Sequence, residues 1–267
     1  MFHHDGNPQA ETHPARPASA GRGSHDPART RLLTSIGAIL ALFALQGLGA
    51  GEARARDTKV HNFVYVESND PDGNAIFAFT RNADGSLTPL PGSPFPTGGL
   101  GLTPTFALGP FDSDQEVIVN PSRTMLFAVN GGSDTIAVFN INHDGSLTPV
   151  EGSPFPSGGS SPVSVGLAND ILCVVNQDED PGHPGQFLPN YTSFTVSANG
   201  SLHPVMNSTF YVDAGSSPSQ ALISPDDELM FGADFLGGLL RTFKISGNGR
   251  LRPRDAQPLP PAVFAGT

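Results

Sequence analysis

Residues 82–99 read NADGSLTPLPGSPFPTGG, and residues 142–159 read NHDGSLTPVEGSPFPSGG. Weaker echoes stand at 197–205 (SANGSLHPV) and 246–254 (SGNGRLRPR). Recurrence at this period marks a repeat architecture and restricts the fold more than any other feature of the chain. Each copy lies between apolar runs. Upstream stand AIFAFT, TIAVFNI, YTSFTV and LLRTFKI, and downstream a short run opens at Leu87, Leu147, Leu202 or Leu251. The upstream runs are rich in Ile, Val, Phe and Thr, which predicts strands. Between the runs stand Asp84-Gly85, Asp144-Gly145, Asn199-Gly200 and Asn248-Gly249. Both residues of such pairs accept positive φ at low cost, so each copy is expected to be an antiparallel hairpin.

A second hairpin precedes each of the last three. These are EVIVNPSRTMLFAVN (116–130), SVGLANDILCVVN (164–176) and ALISPDDELMFGAD (221–234). One repeat is then a four-stranded meander, strands a to d, and such a unit repeated radially is a β-propeller blade. The turn glycines at 85, 145, 200 and 249 are spaced by 60, 55 and 49 residues. That is near the roughly 50 residues of a kelch blade. The chain has no Trp and 18 Phe, which argues against the Trp-bearing WD signature. The expected class is all-β: about four blades, forming an incomplete or open ring. The first blade shows only FVYVES (63–68), AIFAFT and a d strand, and the tail PPAVFAGT is a candidate for its missing strand.

The N-terminal part differs. Residues 1–28 are polar and aperiodic, as expected of a disordered extension. Residues 29–55 join Arg29 and Arg31 to the apolar run 32–50 and then to Ala53-Arg54-Ala55. Charge, apolar core and a small-x-small site form a secretory signal, with a membrane anchor as the alternative. The propeller repeats occupy 56–267. From residue 56 on, 21 carboxylates face nine Lys and Arg. Such a surface repels nucleic acid and disfavours phosphorylated ligands. The single cysteine, Cys173, excludes a disulfide framework and reads as a small buried hydrophobe.

The stretch NPSRTMLFAVNGGSDTIAVFNINHDGSLTPV (120–150), together with Pro225–Asp234 and Leu239–Leu251, resembles the seven-bladed propeller lactonases of the 6-phosphogluconolactonase-like, YVTN-repeat group. The resemblance covers residues 60–255. It implies a propeller with a ligand site at its channel mouth, and a sugar lactone or related ester as substrate. The catalytic members resemble one another in a Pro-His pair at the start of some innermost strands. The matching positions here read Pro162-Val163 and Pro218-Ser219.

In a meander blade the b–c and d–a connections share one face, where propellers bind ligands. That mouth collects Asn69, Asn130, Asn176, Asp180 and Asp234. The longest b–c connection, NQDEDPGHPGQFLPN (176–190), carries Asp178 and His183, and long connections are frequently functional. Lactone hydrolysis needs a base near neutral pKa and a donor for the oxyanion. Asp178 or His183 is the candidate base, and Arg241 the candidate cation. No Asp-x-Asp-x-Asp-Gly calcium loop is present, and no metal or cofactor is expected. The expected partner is a small lactone or sugar-derived ligand, or, for a non-catalytic binding propeller, a protein.

Overall fold

The structure is a computed structural model that describes residues 62–102, 115–178, 188–234 and 236–260. The N-terminal extension, the export or anchor segment, the closing tail and the centre of the 176–190 connection lie outside the described residues.

Four antiparallel sheets follow one another along the chain. The first holds β1 (Phe63–Glu67), β2 (Ala75–Arg81), β3 (Leu87–Pro89) and β4 (Phe95–Pro96). The second holds β5 (Val117–Val119), β6 (Met125–Asn130), β7 (Thr135–Ile141), β8 (Leu147–Pro149) and β9 (Phe155–Pro156). The third holds β10 (Ser160–Ala168), β11 (Ile171–Asp178), β12 (Asn190–Val196), β13 (Leu202–Pro204) and β14 (Phe210–Tyr211). The fourth holds β15 (Leu222–Ile223), β16 (Leu229–Asp234), β17 (Leu239–Ile245) and β18 (Leu251–Pro258). Each pairs in sequence order, as the meander reading expects, and none closes on itself. Among the described residues there is no α-helix; one 3-10 turn spans Gly131–Ser133.

The repeated phrase has a clear physical role. In the first two sheets the outer strand is split. Both β3 and β4 pair with β2, and both β8 and β9 with β7. Between the halves, five outer residues oppose Phe77-Ala78 or Ala137-Val138. The Leu90 and Val150 amides still reach the Ala78 and Val138 carbonyls, each at 2.9 Å. The Ala78 and Val138 amides donate instead to the Ser93 and Ser153 hydroxyls, at 2.9 and 2.8 Å. The serine of GSPFP therefore completes a ladder that the loop interrupts. Ser93-Pro94 and Ser153-Pro154 are cis.

The c–d turns differ from the expectation in one respect: of each Asp-Gly or Asn-Gly pair, only the glycine takes positive φ, +80° to +87°. The turn is a three-residue loop. Asn82 donates to the Ser86 carbonyl and Gly85 to the Asn82 carbonyl, at 2.8 and 3.0 Å. This is a turn ending in a left-handed residue, and glycine adopts it without a Cβ penalty. The aspartate is a cap instead. Asp84 accepts from the Ser86 amide and hydroxyl, which holds its carboxyl below the usual carboxylate range.

The core is divided among the junctions between sheets. Leu126, Ala128, Ala137, Phe139 and Leu147 pack on Ile76 of the first blade. Phe127, Val129, Ile136 and Val138 meet Val165, Leu172, Val174, Phe194 and Leu202 of the third. Val163, Ile171, Cys173, Val175 and Tyr191 meet Met230, Phe243, Ile245 and Leu251 of the fourth. A blade with neighbours on both sides buries both faces of each strand. Hence IAVF in β7 is continuously apolar and buried where a half-exposed strand would alternate. Burial pushes the Cys173 thiol up to about 12. Three of the four turn glycines also sit against the preceding blade: a Cβ on Gly145 would lie 2.5 Å from the Phe63 ring.

Phe139→Ala should therefore cost about 3–5 kcal/mol in urea unfolding. Ser153→Ala, which orphans the Val138 amide, should cost about 1–3 kcal/mol. A Phe139→Ala loss of under about 1 kcal/mol would place the junction outside the cooperative core.

Candidate functional site at the mouth

Hydrogen bonds between loops identify the mouth. The Gly132 amide, in a b–c connection, donates to the Leu100 carbonyl in a d–a connection, at 3.0 Å. Asp134 likewise accepts from the Ser161 amide at 2.7 Å. On the opposite face, a cavity of about 600 Å³ is lined by Arg123 and Thr124 of an a–b turn and by Asn142 and His143 of a c–d turn. The Asp-Gly turns thus lie away from the mouth.

Strand register places one residue of each blade at the same mouth-end position. These residues are Ser68, whose amide donates to Ala75, Asn130 opposite Thr135, Asn176 opposite Asn190, and Asp234 opposite Leu239. The last three are fully buried. On the side of the first two blades, protein partners occupy this row. Asn130 Oδ1 accepts from Asn74 Nδ2 at 3.0 Å and Thr97 Oγ1 at 2.6 Å, while its Nδ2 donates to Thr135 Oγ1 at 3.0 Å. Asn69 Oδ1 accepts from the Leu102 amide at 2.7 Å, and the left-handed conformation of Asn69 aims it there. Gly99 leaves no room for a Cβ beside the Asn130 carboxamide. These contacts weld the first mouth loop to the second.

The side of the last two blades is built from an amide pair and an ion pair. Asn176 Nδ2 donates to Asn190 Oδ1 at 3.0 Å, and its own buried Oδ1 has no partner. The buried Asp234 carboxylate accepts from the Ser217 and Gly237 amides at 3.0 and 2.8 Å, and pairs with Arg241 Nη2 at 3.3 Å. Arg241 Nε is buried without a partner. Tyr191 packs beside this pair and donates to the Ala233 carbonyl at 3.2 Å. Burial, then the Asp234 charge, raises its hydroxyl pKa, against a smaller opposing effect of Arg241. Gly232 makes space for the Tyr191 ring. One acceptor and one donor, both buried, are thus left over on this side.

Asp178 ends β11 and is exposed at the root of the long connection. Asp180 and His183 lie outside the described residues. Val163, where the resemblance puts a histidine, is fully buried in the core between the third and fourth blades. Ser219 is tied to the Ala233 carbonyl through its amide at 2.8 Å. Asn74, Thr97, Asn190 and Tyr191 belong to the mouth network and were not picked out by sequence reasoning. Asn74 had a usable signal: it precedes its c strand as Asp134 does, and Thr97 and Ser157 bond their carbonyls alike. Among the described residues there is no cluster of His, Cys, Asp or Glu able to hold a metal, and no helix long and apolar enough to cross a membrane.

Four meander sheets stacked face to face, with their b–c and d–a connections gathered at one end, define an incomplete β-propeller. No protein-family profile and no curated protein matches the sequence. Solved structures do share its fold. A Lactobacillus plantarum protein matches with a TM-score of 0.58 at 20% identity, over 76% of this chain and 54% of that one. A Bacteroides uniformis protein, described as a candidate 6-phosphogluconolactonase, matches at 0.58 and 18%, over 77% and 56%. The periplasmic gluconolactonase of Pseudomonas aeruginosa matches at 0.53 and 17%, over 73% and 53%. The chain spans little more than half the length of each.

Arg241→Ala removes the counter-charge from a fully buried carboxylate and should cost about 3–5 kcal/mol. The Asp234→Asn/Arg241→Met double variant should recover most of that loss in chemical denaturation. Equal losses in the single and double variants would show that the ion pair does not govern this corner.

Proposed function

We propose that this chain is an exported propeller of lactonase type, whose mouth takes a sugar lactone or related ester and hydrolyses it. The observation that carries the reading is the mouth of the last two blades. Buried polar atoms there lack partners, and the exposed Asp178 stands at the root of the longest connection. The shared fold with a periplasmic gluconolactonase supports the substrate class and the location. The signal-like segment 29–55 supports export. In the reaction, water adds to the lactone carbonyl carbon and the ring C–O bond breaks. Asp178 or His183 takes the proton of the attacking water and passes it to the departing ring oxygen, leaving a hydroxy acid. The carbonyl oxygen gains negative charge on the way and needs a donor, and Arg241 retains an unpaired Nε–H.

A second reading, a non-catalytic binding propeller in the cell envelope, is favoured by three specific positions. Val163 and Ser219 replace the family's histidines, and Asp234 is saturated by three protein donors.

Hydrolysis of gluconolactone by the purified chain, followed by base uptake at constant pH, separates the two. The lactonase reading expects a rate about 100-fold or more above the spontaneous one, falling at least about tenfold in Asp178→Asn or His183→Ala. A rate equal to the spontaneous one, together with ligand-dependent thermal stabilisation, gives the binding reading.

A further inference from the structure

The blades carry the same face-forming residues at equivalent registers, so each surface can be compared with its counterparts. The face that a blade turns toward its predecessor is set by a Phe of strand c and the Leu that opens strand d. In blades two to four these are Phe139 and Leu147, Phe194 and Leu202, Phe243 and Leu251. All six are buried, and the three leucines are 6%, 6% and 4% exposed. The first blade carries the same pair, Phe79 and Leu87, at the same register. Here Leu87 is 47% exposed, and beside it Val66 and Phe77 are exposed where their counterparts Ala128 and Ala137 are fully buried.

The turn glycines agree. A Cβ on Gly145, Gly200 or Gly249 would meet Phe63, Val150 or Ile171 of the preceding blade at 2.5, 2.7 and 2.6 Å. Gly85, in the same turn and the same conformation, has nothing within 4 Å. Among the described residues, the first blade therefore presents a complete receiving face with no blade packed on it.

The other end presents the reciprocal face. Ile76, Ile136 and Tyr191 face the following blade and are fully buried. Their counterpart in the fourth blade, Leu240, is 39% exposed, and Leu222 next to it is also exposed. An apolar sheet face in water is unfavourable and a template for association. The two uncovered faces do not cover each other within the chain, since both remain exposed.

We propose that these two faces are mates, and that a second copy of this chain supplies the cover, blade four of one against blade one of the other. The blade-four face is the one surface described whose residue positions match those that cover the equivalent face at all three internal junctions. Repeated once in each direction, the contact joins two four-blade arcs into a closed ring about a two-fold axis. Closure leaves no such face uncovered and prevents an open filament. Eight blades lie within the range of about 4–8 that propellers adopt. The proposal does not depend on lactone chemistry, although closure would complete the wall around the mouth.

Sedimentation equilibrium on the purified chain, in parallel with the variants Phe77→Glu and Leu240→Glu, tests this. The native chain should have twice the chain mass. Phe77→Glu and Leu240→Glu, one on each face and both at exposed positions, should each weaken the dimer by at least about 100-fold. Each should retain the strand circular dichroism and a cooperative thermal transition. A mixture of the two variants should form a heterodimer through the one junction left intact. A monomeric native chain overturns the proposal and assigns both faces to further copies of the repeat. A dimer that only one of the two variants weakens also overturns it, because that result means like faces pair.

Discussion

Burial of one sheet face against the next is the interaction on which this structure depends. Each sheet of four or five short strands carries apolar side chains on its faces, and these need cover from water. Here the cover comes from the neighbouring repeat, so the core is three separate layers, each shared by two blades. Two further contacts fix the stacking. The turn glycines let the c–d loop of one blade rest on the blade before it. Hydroxyls then reach across to the same turns: Tyr65 donates to the Gly145 carbonyl at 2.9 Å, and Ser193 to the Gly249 carbonyl at 2.7 Å. Nearest-neighbour stability of this kind is characteristic of repeat proteins.

The mouth follows from the same stacking. Strands that end in register bring one polar residue per blade to the edge of the apolar layers, and a buried polar group must find a partner. Between the first two blades the partners are Asn74, Thr97 and Thr135, and the result is a rigid polar weld. Between the last two, the Asp234–Arg241 pair and Asn176 leave polar atoms unmatched.

The backbone plan was legible because it is periodic. Alternating Phe and Val, turn glycines at a regular spacing and paired hairpins predict four meander sheets, and the strands lie where those patterns put them. The side-chain chemistry was less legible, for a geometric reason. Asn74 bonds Asn130 across 56 residues of chain, and Tyr65 bonds Gly145 across 80. No local pattern encodes such a pairing; only alignment of one repeat on the next points to it. The GSPFP segment illustrates the same limit. Its recurrence was obvious, whereas its role, a serine standing in for a missing ladder bond, needed the register. Arg241 reads in sequence as a lone cation near a strand start, and only the fold shows it committed to Asp234. Asp180 and His183 stand outside the described residues, so their part in the site rests on sequence alone.

Junction packing is measured most directly where two aromatic rings meet across it. Tyr191 of the third blade and Phe243 of the fourth have ring centroids 4.7 Å apart. A double-mutant cycle with Tyr191→Leu and Phe243→Leu, read by urea unfolding, should give a favourable coupling of about 0.5–1.5 kcal/mol. Additive losses, with no coupling beyond experimental error, would contradict a fold held together by its blade-to-blade faces.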